Sequence, residues 1–168
     1  MDQYWDKIES RADQGDTPYN LRNCAYMEDF YRQKIVYPGL MRIAKSNSTN
    51  FPRFALDLEQ NFFFGNDCYF IVGRYINFLY LILNSTLLGY LFRYYIYSFD
   101  ETGFKVFTDY FQNIPLPLPN EKVINIAQKL IKENASIEKI NKWVYSLFDF
   151  TNDEIIEIEN AVNVILGI

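Results

Sequence analysis

Between Arg74 and Arg93 the chain runs for 18 residues without a charge. A stretch of that kind has to be enclosed, either by the rest of a protein core or by a bilayer. Ile76, Leu79, Tyr80, Leu83, Leu87 and Leu91 recur at helical spacing. Phe78, Leu81 and Ile82 make the remaining faces apolar as well. The pattern predicts one long buried helix over residues 75–94. Its length sits at the lower edge of a membrane span, but Asn77, Asn84, Ser85, Thr86 and Gly89 lie inside it. The polar cluster falls at the centre, where hydrocarbon tolerates it least. A core helix with a polar break fits better than a membrane segment, so no membrane partner is expected.

A chain of 168 residues is long enough to surround such a helix within one domain. The surroundings are aromatic, with 14 Tyr and 15 Phe in the sequence. Residues 34–37 read as a short strand, Pro38-Gly39 as a turn, and residues 40–43 as a resumption. Residues 54–57 and 62–72 are rich in aromatic and β-branched residues between Gly and Asn turns, and also read as strands. Asp100-Glu101-Thr102-Gly103 is a turn, residues 108–113 one or two helical turns, and the Pro-rich residues 114–119 an extended linker.

Beyond the linker the character changes. Asn120 can cap a helix with an apolar face of Val123, Ile124, Ala127, Leu130 and Ile131. Ser136 starts a second with Ile137, Ile140, Val144, Leu147 and Phe148. Thr151 and Glu154 form a capping box for a third, with Phe150 and Ile155 placed as a staple. The expected fold class is mixed α+β: a small sheet packed on a long buried helix, followed by short C-terminal helices. We divide it into a sheet-bearing region, residues 1–118, and a helical extension packed on it, residues 119–168.

The absences bear on chemistry. The chain has no His, so an imidazole base, a His-dependent triad and a histidine metal site are excluded. It holds no Gly-rich nucleotide loop, no NPPY-type tetrapeptide, and no acidic residue followed two places later by Lys. The acidic pairs Asp100-Glu101 and Asp153-Glu154 lie in a turn and a helical first turn, where structure accounts for them. Cys24 and Cys68 are too few for a disulfide framework or a zinc site and are expected to be reduced and mostly buried. The N-terminus is acidic and polar without an apolar run, so a cytoplasmic location is expected.

The net charge of −5 opposes a free-standing nucleic-acid binder. Its distribution is uneven. Residues 30–99 carry seven basic side chains (Arg32, Lys34, Arg42, Lys45, Arg53, Arg74 and Arg93) against Asp57, Glu59 and Asp67, a local charge of +4. The polar run 44–50, AKSNSTN, reads either as a solvated hairpin tip or as a DNA-contacting loop, since Asn and Ser can meet base edges and Lys a phosphate.

The order of elements from residue 51 to 119 is strand, turn, strand, Gly, buried helix, polar Gly turn, short amphipathic piece, Pro stop. It includes Phe51-Pro52-Arg53-Phe54-Ala55-Leu56-Asp57, Asn61-Phe62-Phe63-Phe64, Cys68-Tyr69-Phe70-Ile71-Val72-Gly73, Leu83-Asn84-Ser85-Thr86-Leu87-Leu88, Gly103-Phe104-Lys105 and Asn113-Ile114-Pro115-Leu116-Pro117. Flanking it are Gly15-Asp16-Thr17-Pro18-Tyr19-Asn20-Leu21-Arg22-Asn23-Cys24-Ala25-Tyr26, Lys34-Ile35-Val36-Tyr37, Val144-Tyr145 and Thr151-Asn152-Asp153-Glu154. This series resembles the TaqI-like C-terminal specificity domain, the target-recognition domain of adenine-specific DNA methyltransferases in restriction-modification and phage-defence systems. The resemblance covers nearly the whole chain and rests on the order of many weak motifs.

It implies a non-catalytic domain that holds double-stranded DNA in register. Methylation would be performed by a catalytic methyltransferase domain of the same parent chain, using S-adenosylmethionine, with or without a fused nuclease. By side-chain chemistry, the residues expected at DNA are Arg42, Lys45, Ser46, Asn47, Asn50, Arg53, Arg93, Tyr97 and Lys105. The alternative is a protein-interaction module whose helical tail docks a partner subunit.

Overall fold

The computed structural model describes residues 2–20, 22–43 and 51–167. Among these, seven α-helices and two three-stranded antiparallel sheets make a mixed α+β fold. The sequence predicts one sheet; the structure has two, and a single residue separates the strands that begin them. β1 (Lys34–Pro38) is the central strand of the first sheet, between β3 (Ala55–Asp57) and β4 (Cys68–Val72). β2 (Leu40–Arg42) belongs to the second sheet, in the order β2-β6-β5, with β5 at Tyr97–Ser98 and β6 at Gly103–Lys105.

Gly39 is the corner between the two sheets. Its N–H donates to the Asp67 carbonyl at 2.8 Å, and its own carbonyl accepts from the Val106 N–H at 2.9 Å. It is therefore tied to strand β4's side and to the end of β6 at once. A Cβ built there would lie 2.7 Å from the Tyr69 ring, which stacks on Tyr37 and has little room to give. The corner needs a residue without a side chain.

The predicted long helix is two helices, α2 (Ile76–Leu83) and α3 (Thr86–Tyr95). Asn84, Ser85 and Thr86 mark the break, each with hydrogen-bond partners of its own. The Asn84 Oδ1 accepts from the Phe54 N–H at 2.9 Å, and its Nδ2 donates to the Phe54 and Tyr80 carbonyls at 3.1 and 3.0 Å. Ser85, fully buried, donates to the Ile82 carbonyl at 2.7 Å and caps α3 by accepting from Leu88. The Thr86 N–H donates to Asn141 Oδ1, and Asn141 Nδ2 donates back to the Thr86 hydroxyl at 2.7 Å. Three consecutive side chains thus tie the helical pair to β3's approach, to the cap of α3 and to the C-terminal helices.

The apolar faces of α2 and α3 serve two cores. Ile76, Leu83, Leu88 and Phe92 join Ile35, Met41, Phe104 and Val106 beneath the sheets. Phe78, Leu81, Ile82 and Leu87 join Ala127, Leu130, Val144 and Ile158 on the other side. With a core on both sides, the pair is apolar over most of its surface and exposes charge only at Arg93, on the last turn of α3. No helix among the described residues is long and apolar enough to cross a membrane.

The second core is built by α5 (Glu121–Lys132), α6 (Ile137–Tyr145) and α7 (Asn152–Leu166). Asn120 caps α5 by accepting from Val123 at 3.0 Å, Ser136 caps α6, and Thr151 with Glu154 forms a full capping box on α7. Helix α5 ends at Asn134 in the left-handed region (φ 48°), with the Ala135 N–H closing back to the Leu130 carbonyl at 3.0 Å. The predicted helical turns after residue 108 are α4 (Thr108–Phe111), and residues 5–8 add a short α1 (Trp5–Ile8).

Strand β4 is shorter than predicted. Residues 62–64 lie before it without strand pairing, and the rings of Phe63 and Phe64 gather instead around Phe30, with Phe63 stacked on it at 5.6 Å and 4°. Cys24 and Cys68 are free and half-buried rather than enclosed.

Candidate nucleic-acid interface

Cross-strand register sorts the second sheet into two faces. Met41 pairs with Phe104 and Phe104 with Ser98; the two apolar side chains of that row enter the core. Leu40 pairs with Lys105, Lys105 with Tyr97, and Arg42 with Gly103, so these point the other way. Three of the nine residues expected at DNA, Arg42, Tyr97 and Lys105, therefore share one outward face.

That face is a layer of cations on exposed rings. The Lys105 ammonium lies 4.6 Å from the Phe99 ring centre and 5.7 Å from that of Tyr97. The Arg42 guanidinium lies 5.6 Å from the same Phe99 ring. Tyr110, brought in by α4, stacks on Tyr97 at 6.1 Å and 20°. Tyr97 and Phe99 stay 52% and 49% exposed, so ring surface remains open to a ligand.

Arg42 is anchored from two directions. Asp100 Oδ2 accepts from its guanidinium at 2.7 Å, with both side chains near half exposure. The turn that carries Asp100 holds the carboxylate in place: Thr102 N–H donates to its other oxygen at 2.9 Å. That backbone bond, followed by Arg42, lowers the Asp100 carboxyl below its ordinary range. Gly103 faces Arg42 across the sheet, and a Cβ there would sit 3.0 Å from the Asp100 carboxylate. Arg53 reaches the same strand, its guanidinium donating to the Arg42 carbonyl at 2.6 Å. Arg53 thus joins the site by supporting the backbone of Arg42.

Arg93 stands exposed on the last turn of α3, two residues before the helix gives way to Ile96 and β5. Among the described residues it is not joined to the Arg42 cluster. Lys45, Ser46, Asn47 and Asn50 lie outside the described residues.

The positive middle of the chain is less positive than its sequence implies. Lys34 is wholly buried and ion-paired with Asp57 at 2.6 Å, where β1 and β3 place the two opposite each other. Arg32 pairs with Asp29, and Arg42 with Asp100. Phe99, Tyr110 and Asp100 complete the face and were not expected from sequence. The alternation Tyr97-x-Phe99 was a usable signal for the first. Nothing local marks the others, because register and α4 bring them in.

Among the described residues no group of acidic and cysteine side chains is arranged to hold a metal. No family model matches the chain, and no curated protein matches it.

Proposed function

We propose that this chain is a non-catalytic DNA-recognition domain of an adenine-specific, restriction-modification type methyltransferase, and that the outward face of the second sheet meets the DNA. The carrying observation is the cation-on-ring layer of Arg42, Lys105, Tyr97, Phe99 and Tyr110. The cations neutralise phosphate, and the rings give flat surface for bases or thymine methyl groups. Asp100 holds Arg42 oriented in the absence of DNA. An exposed ion pair is worth little in water, so a phosphate can displace the carboxylate at small cost. The parent's S-adenosylmethionine domain would extrude and methylate the adenine while this domain sets the register.

The test is duplex binding by the full-length parent over a salt series. Arg42→Ala or Lys105→Ala should weaken binding and flatten the salt dependence by about one unit for each phosphate that the variant no longer neutralises. Unchanged affinity and slope in both variants would remove DNA from this face.

A second reading, a protein-interaction module, draws on a different surface. Tyr26, Tyr31 and Phe63 are each about half exposed around a cluster of Phe30, Phe64 and Phe70. Glu28 and Asp29 lie in the same segment, which suits a protein surface better than a polyanion. In this reading the aromatic face, and not the helical tail, is the docking surface.

A further inference from the structure

Rings and cations alternate on the outward face of the second sheet. On the central strand Lys105 stands beside Tyr97. Two residues earlier Gly103 stands opposite Arg42 on one side and accepts from the Phe99 N–H at 2.8 Å on the other. Gly103 brings no side chain into the space between Arg42 and Phe99. The Lys105 ammonium reaches both rings, at 4.6 Å from the centre of Phe99 and 5.7 Å from that of Tyr97, and the Arg42 guanidinium lies at Phe99. The order is therefore ring, cation, ring, cation. Lys105 has no carboxylate partner among the described residues, so its ammonium can pass from the rings to another anion.

A nucleic-acid strand has the matching order of base, phosphate, base, phosphate. The spacing decides which kind of strand fits. Side chains two residues apart on a β-strand stand about 6.7 Å apart. Bases in a duplex repeat every 3.4 Å or so along each strand, and their faces are covered by their neighbours, leaving only edges in the grooves. A ring face is of use only to a base that has left the stack. An unpaired strand can be drawn out until successive bases meet successive rings. Tyr97 and Phe99 are both about half exposed, and Tyr110, stacked on Tyr97, steadies that ring.

We propose that this face holds an unpaired stretch of DNA, with two successive bases stacked on Tyr97 and Phe99 and their phosphates at Lys105 and Arg42. The inference rests on the reading of this face as the one that meets DNA, and adds that the duplex is opened where it lies on the sheet. Phe99 is then the residue that tells an opened strand from a closed duplex.

The experiment is fluorescence anisotropy of the 168-residue chain at low salt with labelled probes. These are an oligothymidylate single strand, a strand of the same length with abasic residues in place of the bases, and a closed duplex of the same length. The duplex carries the densest charge, so phosphate contacts alone would favour it. The single strand should nevertheless bind more tightly than the duplex, and about tenfold or more tighter than the abasic strand. Phe99→Leu keeps an apolar side chain without a ring face. It should weaken the single strand by about fivefold or more, the loss of one base–ring stack, and leave the salt slope unchanged. Lys105→Gln should instead flatten that slope by about 0.7. Equal affinity for the abasic strand, tighter binding of the closed duplex, or an unchanged single-strand affinity in a folded Phe99→Leu chain would each overturn the opened-strand inference. Salt-dependent duplex binding that Arg42→Ala weakens would then leave the DNA face itself standing. Binding of none of the probes would overturn both.

Discussion

The two sheets each contain a cation–carboxylate pair, and the pairs behave oppositely. In the first sheet Lys34 meets Asp57 at 2.6 Å with neither side chain touching solvent. Lys34 also donates to the Phe30 carbonyl at 2.8 Å, and Asp57 accepts from the N–H groups of Asn61 and Phe62 at 3.1 and 3.0 Å. In the second sheet Arg42 meets Asp100 at 2.7 Å with both partners near half exposure. The distances are alike and the surroundings are not. Inside, each charge depends on the other, because water cannot replace a missing partner. Outside, water or a phosphate replaces it readily. The first pair holds β1, β3 and the turn after it together; the second keeps a cation presented. A residue's type gives its charge, but burial decides whether that charge can reach anything.

The largest expected effect breaks the buried pair. Lys34→Met leaves Asp57 charged and enclosed, and should destabilise the fold by about 3–5 kcal/mol in chemical denaturation. Reversing the loss with the double change Lys34→Met, Asp57→Leu should succeed only partly, since the Asn61 and Phe62 N–H groups then lose their acceptor. A Lys34→Met chain as stable as the original would show that the pair does not hold the sheet.

The pH dependence sharpens the same contrast. Burial opposes the Asp57 charge, but Lys34 and the two N–H donors outweigh it and lower its carboxyl below the ordinary range. A carboxyl lowered in the folded state contributes stability in full above its unfolded value, about 3.9. That contribution is lost as pH falls through the folded value. Stability should therefore drop below about pH 4 in the native chain, and this part of the drop should be missing in the Lys34→Met, Asp57→Leu double variant, read by denaturation midpoints across a pH series.

Next in size, Leu83→Ala should cost about 2–5 kcal/mol, because Leu83 is 1% exposed in the core beneath the sheets. A neutral result would place it outside that core.

The exposed pair should give the smallest change in stability and the clearest one in binding. Arg42→Ala should leave the denaturation midpoint essentially where it was. If Arg42 meets phosphate, duplex affinity in the proposed parent protein becomes less salt-dependent; if it reads guanine, the loss is about 1–3 kcal/mol and confined to one target position. Lys129→Ala, on the exposed side of α5 beside Glu133, should change neither property. If Lys129 mattered and Arg42 did not, the DNA face would lie on the helical tail and not on the second sheet.

Much of the local structure was legible in the residues. Asn120, Ser136 and Thr151 each announce a helix, since a cap is a local bond between a side chain and an N–H two or three residues on. The mixed α+β class followed from such signals and from period. The split between α2 and α3 was legible only as a polar interruption. Asn84, Ser85 and Thr86 find their partners at Phe54, Ile82 and Asn141, two of which are far away in sequence. Likewise Arg42, Tyr97 and Lys105 were chosen one at a time by chemistry, and only the β2-β6-β5 register sets them side by side.

The sequence by itself determined where helices start, which segments are apolar on every side, and which charges and rings the chain has to offer. Tertiary structure alone decided that β1 and β2 part into separate sheets at Gly39, that Lys34 is sealed against Asp57, and that Arg42 remains presented over Phe99. The physical reason is range. Caps and periodicities act across a few residues, whereas the burial of a charge depends on chain segments tens of residues apart closing over it.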